Sequence, residues 1–260
     1  MTRQSLSVFA SLFLLAVSTL CVMPLNAQMA EVKEKPAMYS YIANWQIPRA
    51  HWAEMEKSAA GRNAILEKAL ADGTIVGYGD DINLVHTAEG ETHDNWWSAM
   101  SIAGLVKVLD KFFAADISAS PNAASPTKHW DSIYVSHYYN WRSGAFKDGY
   151  VHVSAYKLKA DAPDDAVESL SKHMIVPVLE KMLADSTILE YEIDTMAIHT
   201  EAPGTFSIVY VTPTPEGLDT VQAAIRGLVS DHPLSGQAFG SMTDDNGHRD
   251  ELLKGSGVFK

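Results

Sequence analysis

Residues 65–87 read ILEKALADGTIVGYGDDINLVHT, and residues 178–200 read VLEKMLADSTILEYEIDTMAIHT. The two stretches align without a gap, matching at Leu66/Leu179, Glu67/Glu180, Lys68/Lys181, Leu70/Leu183, Asp72/Asp185, Ile75/Ile188, Tyr78/Tyr191, Asp81/Asp194 and His86/His199, among other positions. Chance does not produce such a run, so the chain reads as a duplicated domain. A second echo, SGAFK at 143–147 and SGVFK at 256–260, marks the end of each copy.

Working outward, each copy carries the same order of elements. YSYIANWQI has aromatic residues at alternating positions, as in a strand, and leads into a helical stretch from His51 to Ala71. TIVGYGDDINLVH and HDNWWSAMS read as two strands joined by the turn-like TAEGET, a hairpin. SIAGLVKVLDKFF has its apolar residues at helical spacing, and DSIYVSHYYNW closes the unit as a strand. The second copy repeats this order with DGYVHVSAYKL, a helix from Pro163 to Ala184, STILEYEIDTMAIHT, TFSIVYVTP and a helix opened by Thr214-Pro215-Glu216. Its last strand, HRDELLKGSGVFK, reads as a shortened counterpart of the first copy's last strand.

A β-α-β-β-α-β unit is ferredoxin-like: an antiparallel sheet with both helices on one face. The open face of each sheet needs cover, and the second copy supplies it. The expected fold is therefore α+β, two tandem ferredoxin-like repeats packed sheet to sheet as an intramolecular α/β barrel. The expected organisation is a signal peptide over 1–27, a polar leader over 28–37, repeat 1 over 38–147 and repeat 2 over 148–260. The junction is placed at Lys147-Asp148-Gly149, and ASPNAASPTK (119–128) is a loop inside repeat 1. On element order and duplication the chain resembles the dimeric α/β-barrel superfamily in its fused form. That resemblance places a functional cavity inside the barrel and leaves the activity open.

The N-terminus has a basic residue, the apolar run SVFASLFLLAVSTLCVM and then PLNA, the three-part pattern of a secretory signal peptide cleaved after Ala27. The protein is expected to be exported, periplasmic or extracellular, with no membrane association after cleavage. The only cysteine, Cys21, lies in that segment, so the mature chain has no disulfide, thiol nucleophile or thiolate metal site. With 32 acidic against 20 basic residues and a net charge of −12, the surface should repel nucleic acid.

Candidate site residues are polar and aromatic side chains on strands. Tyr78 and His86 in the first copy, and Tyr191 and His199 in the second, share a parity expected to face the barrel interior. Asn44, Trp97, Tyr134, Tyr138, His152 and Tyr156 complete a candidate ligand-binding set, since aromatic walls with a few polar groups suit small molecules. The same Tyr and Trp residues are equally explained by strand packing. His86, Glu89, Glu91 and His93 flank one turn but lack the spacing of a recognised metal motif, so no metal is expected. His-x-Asp occurs twice, at His129/Asp131 and His248/Asp250, as a possible general-base pair or a structural contact.

Asn44-Trp45 and Trp96-Trp97-Ser98 resemble the antibiotic-biosynthesis monooxygenase and haem-degrading branch of the superfamily. Of that branch's site residues only Asn44 and Trp97 have counterparts here, and the helix SIAGLVKVLDKFF lacks its histidine. The expected function is binding of a small apolar or aromatic molecule in the barrel, with no cofactor. The alternatives are a cofactor-independent monooxygenase or a haem-linked redox enzyme using the same cavity, and a structural or interaction protein without a ligand. A monomer or a homodimer fits either copy arrangement.

Overall fold

The computed structural model describes residues 32–116, 127–200, 203–230 and 233–260. The expected signal peptide, the start of the leader and most of the 119–128 loop lie outside these residues. In chain order the elements are β1 (Met38–Gln46), a 3-10 turn (Arg49–His51), α1 (Trp52–Ala71), β2 (Gly77–Asn83), β3 (His93–Ala99), α2 (Ile102–Ala114) and β4 (Lys128–Trp141). There follow β5 (Gly144–Leu158), α3 (Ala166–Leu170), a π turn (Ser171–Ile175), α4 (Val176–Ala184), β6 (Glu190–Met196), β7 (Thr205–Thr212), α5 (Pro215–Ser230), α6 (Pro233–Met242) and β8 (Thr243–Phe259).

Local chemistry explains the boundaries. Ser101 caps α2, its Oγ accepting from the Gly104 backbone N–H at 3.1 Å. After α1 the chain turns through Gly73 at φ 78°, and after α4 through Ser186 at φ 68°. In each turn an aspartate accepts from the following threonine: Asp72 Oδ1 from Thr74 N at 3.0 Å, and Asp185 Oδ1 from Thr187 N at 3.0 Å. The matched segments thus share a turn as well as a sequence.

All strand pairs are antiparallel, and they close a barrel in the order β1-β3-β2-β8-β5-β7-β6-β4. The order β4-β1-β3-β2 in the first half is that of β8-β5-β7-β6 in the second. The two sheets do not lie face to face as separate layers. They join along their edges, through β2 with β8 and β4 with β6, so that no edge is left open. Residues 31–260 form one compact unit.

The helices lie outside the barrel. In the first half Tyr41, Ala43, Trp45 and Trp97 pack against Leu66 and Ala69 of α1 and Leu105, Val108 and Phe112 of α2. In the second half Tyr191, Ile193, Phe206, Ile208 and Tyr210 pack against Leu170, Leu179, Met182, Leu183 and Val221. Two apolar clusters are therefore sheet–helix layers, and a third, smaller one gathers Val151, Val211 and Leu253 with Val153 and Val209 on the barrel's inner face.

Three expectations change. The last strand is long, not shortened: β8 spans 17 residues and pairs with both β2 and β5. Its charged and glycine-rich sequence hides the strand because its inner face is polar. Helix α6, with Gly, Ser and Gln among its residues, had no visible period. Finally, β5 begins at Gly144 and runs through the expected 147/148 junction, with a bulge between Phe146 and Gly149. The SGAFK and SGVFK echoes lie beside each other, with Gly144 opposite Phe259 and Phe146 opposite Gly257.

Candidate functional site

Side chains alternate across a strand, so the residues that do not face the helices face the interior. On β1 these are Ser40, Ile42 and Asn44; on β3, Asp94, Trp96 and Ser98; on β6, Glu190, Glu192, Asp194 and Met196. Asp81 projects from β2, Glu251 and Leu253 from β8, and Trp130, Ser132 and Tyr134 from β4. β5 and β7 contribute Val151, Val153, Val209 and Val211, of which Val211 and Val209 lie beside Glu190 and Glu192 in the β6–β7 pair and Val153 beside Glu251 in the β5–β8 pair. Together they line a cavity of about 310 Å³, of a size that small-molecule sites use.

The lining differs in chemistry from strand to strand. The β5–β7 side is aliphatic, while β2, β3, β6 and β8 bring carboxylates into the interior. Asp81 and Asp94 lie opposite each other in register. Trp96 Nε1 donates to Asp81 Oδ2 at 2.9 Å, and Ser40 Oγ donates to Glu192 Oε2 at 3.3 Å while bonding Ser98 Oγ at 2.8 Å. Four buried oxygens, Asp81 Oδ1, Asp94 Oδ1, Glu190 Oε1 and Asp194 Oδ1, meet no donor in the protein other than a protonated neighbouring carboxyl. Arg249 is the one basic side chain among the described lining residues, and it is paired with Glu251 at 2.9 Å.

Burial governs the titration of these acids, because removing a carboxylate from water disfavours its charge. Asp81 is pushed up to about 7 by burial, with the nearby Asp80 charge adding to it. Glu192 rises to about 7 by burial against the opposing hydrogen bond from Ser40. Glu251 rises to about 7 by burial and the charge of Glu91. Asp94, Glu190 and Asp194 are raised well above the carboxylate range, first by burial and then by their acidic neighbours. The interior carboxyls therefore hold their protons more strongly than free carboxyls do.

The two ends of the barrel differ. Trp96 stacks on Phe259 with ring centroids 5.3 Å apart, Phe259 on Trp141 at 5.4 Å, and Trp141 on Tyr139 at 5.5 Å, forming an aromatic floor. Gly79 and Gly77 make room for it: a Cβ at either position would come within 2.6 Å of the Trp96 or Phe259 ring. The aligned positions in the other half carry Glu192 and Glu190 instead. At the other end the β2–β3 turn places Glu89 and Glu91 on the cavity rim, where Lys128 pairs with Glu89. A second cavity of about 260 Å³ adjoins this region and shares Tyr134, Asp194, Met196 and Arg249 with the first.

Of the side chains expected to form the site, Asn44 and Tyr134 line the interior. Tyr78, Trp97, Tyr138, Tyr156 and Tyr191 point the other way and pack in the helix-facing cores. His152 also lies on that outer face, stacked on Tyr210 at 5.1 Å and 3.4 Å from the Gln222 side chain of α5. His86 follows β2 and meets the Trp52 ring at 5.8 Å, and His199 lines the second cavity. The parity expected to face inward is thus the one facing the helices, because the aromatic face of each strand supplies the sheet–helix core. Tyr191 illustrates this, donating to Glu180 of α4 at 2.6 Å from a buried position.

The sequence reading passed over Asp81, Asp94, Glu190, Glu192, Asp194 and Glu251. Two signals pointed to them. Asp81/Asp194 is one of the repeated pairs, and Glu190, Glu192 and Asp194 alternate along one strand face.

The remaining motifs lie outside the cavity. His129 Nε2 sits 3.3 Å from Asp131 while its ring stacks on Trp45 at 3.6 Å. His248 Nε2 lies 3.2 Å from Asp250, which also accepts from Ser154 Oγ at 2.7 Å. His93 packs edge-on to Trp52 at 5.0 Å, apart from Glu89 and Glu91 on the rim, and among the described residues no group of three His, Cys, Asp or Glu converges as metal ligands.

Haem does not fit this interior. Among the described residues no histidine lines the main cavity, and its inward carboxylates would oppose the anionic propionates of a haem. No helix among the described residues is long and apolar enough to cross a membrane.

No family model matches the sequence, and no curated protein matches it either. Solved structures do match in shape. A candidate monooxygenase from Lactobacillus acidophilus superposes with a TM-score of 0.60 at 13% identity, covering 84% of this chain and 93% of that one. A candidate monooxygenase from Fusobacterium nucleatum gives a TM-score of 0.57 at 8% identity, covering 87% and 94%. A candidate chlorite dismutase gives 0.50 at 11% identity, covering 86% and 95%. At these identities the likeness concerns the fold alone, an α+β barrel of antiparallel strands with helices.

Proposed function

We propose that this chain is an exported small-molecule-binding protein whose ligand occupies the interior of a barrel built from two tandem ferredoxin-like repeats. The observation that carries this reading is the cavity of about 310 Å³, whose lining interleaves aliphatic side chains with buried carboxylates that only one another's protons can satisfy. A protein that used the barrel for stability alone gains nothing from such groups, because a buried unsatisfied polar atom costs about 1–3 kcal/mol. The gapless match of the two segments supports the tandem reading, and the apolar run before Ala27 supports export.

Native mass spectrometry on protein purified from the exported fraction tests both parts. The expected result is a mature chain starting at Gln28 that retains a small molecule, which is lost in Val209→Trp, a substitution that fills the cavity. A barrel interior found packed solid in an experimental structure would overturn the binding reading. A full-length chain confined to the cytoplasm would overturn export.

A second reading, a cofactor-independent oxygenase, draws on the likeness to candidate monooxygenases. In that reading the substrate lies in the same cavity and a buried carboxylate takes its proton. Ligand-dependent oxygen uptake by the purified protein separates it from simple binding.

A further inference from the structure

We propose that the ligand of this barrel is an organic cation, a protonated amine whose head sits among the β2, β3 and β6 carboxylates and whose apolar body lies on the β5–β7 valines. The inference rests on the reading of the interior as a binding cavity and names the ligand class.

The argument starts from what the interior lacks. Asp81, Asp94, Glu190 and Asp194 are 6%, 7%, 2% and 4% exposed, and each carries an oxygen whose one potential donor within the protein is a neighbouring protonated carboxyl. Folded proteins do not leave buried carboxylates unpaired without a reason, since a buried charge is tolerated when it is paired or hydrogen-bonded. Arg249, the one basic side chain among the described lining residues, is engaged by Glu251, and Arg62 is held by Asp80 on the outer face of β2. Within the interior these acids can share protons only with one another, Asp81 with Asp94, and Glu190 and Asp194 with Glu192, so a positive charge that lets them ionise together must come from outside the chain.

The same walls exclude other ligand classes. An anion would add to the repulsion among the acids. A neutral apolar molecule would cover the valines and leave the acceptors as they are. A metal ion is disfavoured because no three of the acidic side chains converge on one point, and Val151, Val153, Val209 and Val211 offer it nothing. A primary ammonium has three donors and no acceptor, which matches acceptors spread over several strands. The Trp96 and Trp130 rings on the cavity wall suit a cation as well. The carboxylates extend from Glu91 on the rim to Glu190 near the aromatic floor, so a charged head is favoured along the whole path.

Entry of a cation would ionise acids that hold protons in its absence, so binding releases protons to solvent. The groups facing this event are Asp81 from β2, Asp94 from β3, Glu190, Glu192 and Asp194 from β6, Glu251 and Arg249 from β8, and Glu89 and Glu91 from the rim, with Asp80 and its partner Arg62 on the outer face of β2.

The test is isothermal titration calorimetry of the whole mature protein at pH 7 with benzylamine and its neutral counterpart benzyl alcohol, in two buffers of different ionisation enthalpy. The expected result is benzylamine binding at least ten-fold tighter than benzyl alcohol, with a buffer-dependent heat that reports proton release. Asp94→Asn combined with Glu192→Gln is expected to weaken benzylamine at least ten-fold and leave benzyl alcohol unchanged, while Val209→Trp abolishes both. Equal binding of the two probes, or a neutral molecule identified by native mass spectrometry, overturns the cation inference and leaves the cavity reading standing. Displacement of benzylamine by Ca²⁺ or Mg²⁺ at lower concentration overturns it in favour of a metal. Binding of neither probe, with no retained molecule, overturns both readings.

Discussion

Asp81 on β2 sits directly opposite Asp94 on β3, and the two buried carboxyls lie within hydrogen-bonding reach of each other. Two adjacent buried carboxylates cannot both ionise cheaply, so one proton shared between them is the favoured state. Asp81→Asn replaces the shared proton by a permanent donor to Asp94. The variant should therefore melt at a higher temperature than the parent at pH 8.5 and at nearly the same temperature at pH 5, where both acids are already neutral. A thermal melt at the two pH values checks this; equal stabilisation at both would show that the pair does not hold a proton.

The interior acids also set the pH dependence of the whole fold. Asp81, Glu192 and Glu251 are raised to about 7, whereas unfolded carboxyls titrate near about 4. From pH 6.5 to 8.5 the unfolded chain has already lost these protons and the folded chain is still losing them, so stability falls as pH rises. His93, lowered to about 4 by burial and by the charge of His86, acts in the opposite sense, but only below its unfolded value of about 6.5. The melting temperature of the ligand-free protein should drop between pH 6.5 and 8.5. A flat or rising profile in that window would contradict the proton-holding interior.

Gly255 stands opposite Asp81 in the β2–β8 pair, and a Cβ there would lie 1.5 Å from Asp81 Oδ1 and 2.9 Å from the Asp80 carbonyl oxygen. The glycine gives Asp81 the space to lean across its neighbour. Gly255→Ala should destabilise by about 1–3 kcal/mol, the usual cost of overpacking. Asp81→Ala in the same chain should recover part of that loss, because the two positions touch. Urea unfolding of both single variants and the double variant measures the coupling, and strict additivity would mean that the contact is absent.

How far the sequence was legible follows from which face of each strand carries pattern. The alternation in YSYIANWQI and the helical spacing in SIAGLVKVLDKFF come from burial against the other layer, and both elements form where expected. Strand β8 carried no such signal: Arg249 and Glu251 point inward, and Gly255 and Gly257 make space for Asp81 and for the Phe146 and Trp96 rings. The candidate site was misread for a related reason. Aromatic side chains mark the packed face in this fold, and the cavity face is marked by acids that resemble solvent-exposed residues in sequence. Only closure of the barrel turns Glu190, Glu192 and Asp194 inward.

Trp97 and Trp130 separate the two faces experimentally. Trp97 is fully buried, stacked on Tyr41 at 4.2 Å and packed on Phe112 of α2, away from the cavity. Trp97→Ala should cost about 3–5 kcal/mol, as for other buried aromatic truncations. Trp130 lines the cavity and lies outside both helix-facing cores. Trp130→Ala should weaken benzylamine binding with the smaller loss of stability. Denaturant curves and calorimetry on the two variants would expose an error if the effects were reversed.

The two matched turns offer the last prediction. Gly73 and Ser186 occupy aligned positions after α1 and α4, and both adopt left-handed backbone, at φ 78° and 68°. Glycine adopts that conformation freely, whereas a side chain there costs about 1–2 kcal/mol. Ser186→Gly relieves this strain and loses about 0.5–1 kcal/mol to the greater freedom of the unfolded chain. The net effect should be a gain below about 1 kcal/mol, read as a higher urea midpoint with an unchanged slope. Gly73→Ser should destabilise by a comparable amount, since nothing lies within 4 Å of its added Cβ and only the backbone geometry is at stake. Opposite signs for the two exchanges follow from a shared turn; the same sign for both would mean that the two copies do not use the turn in the same way.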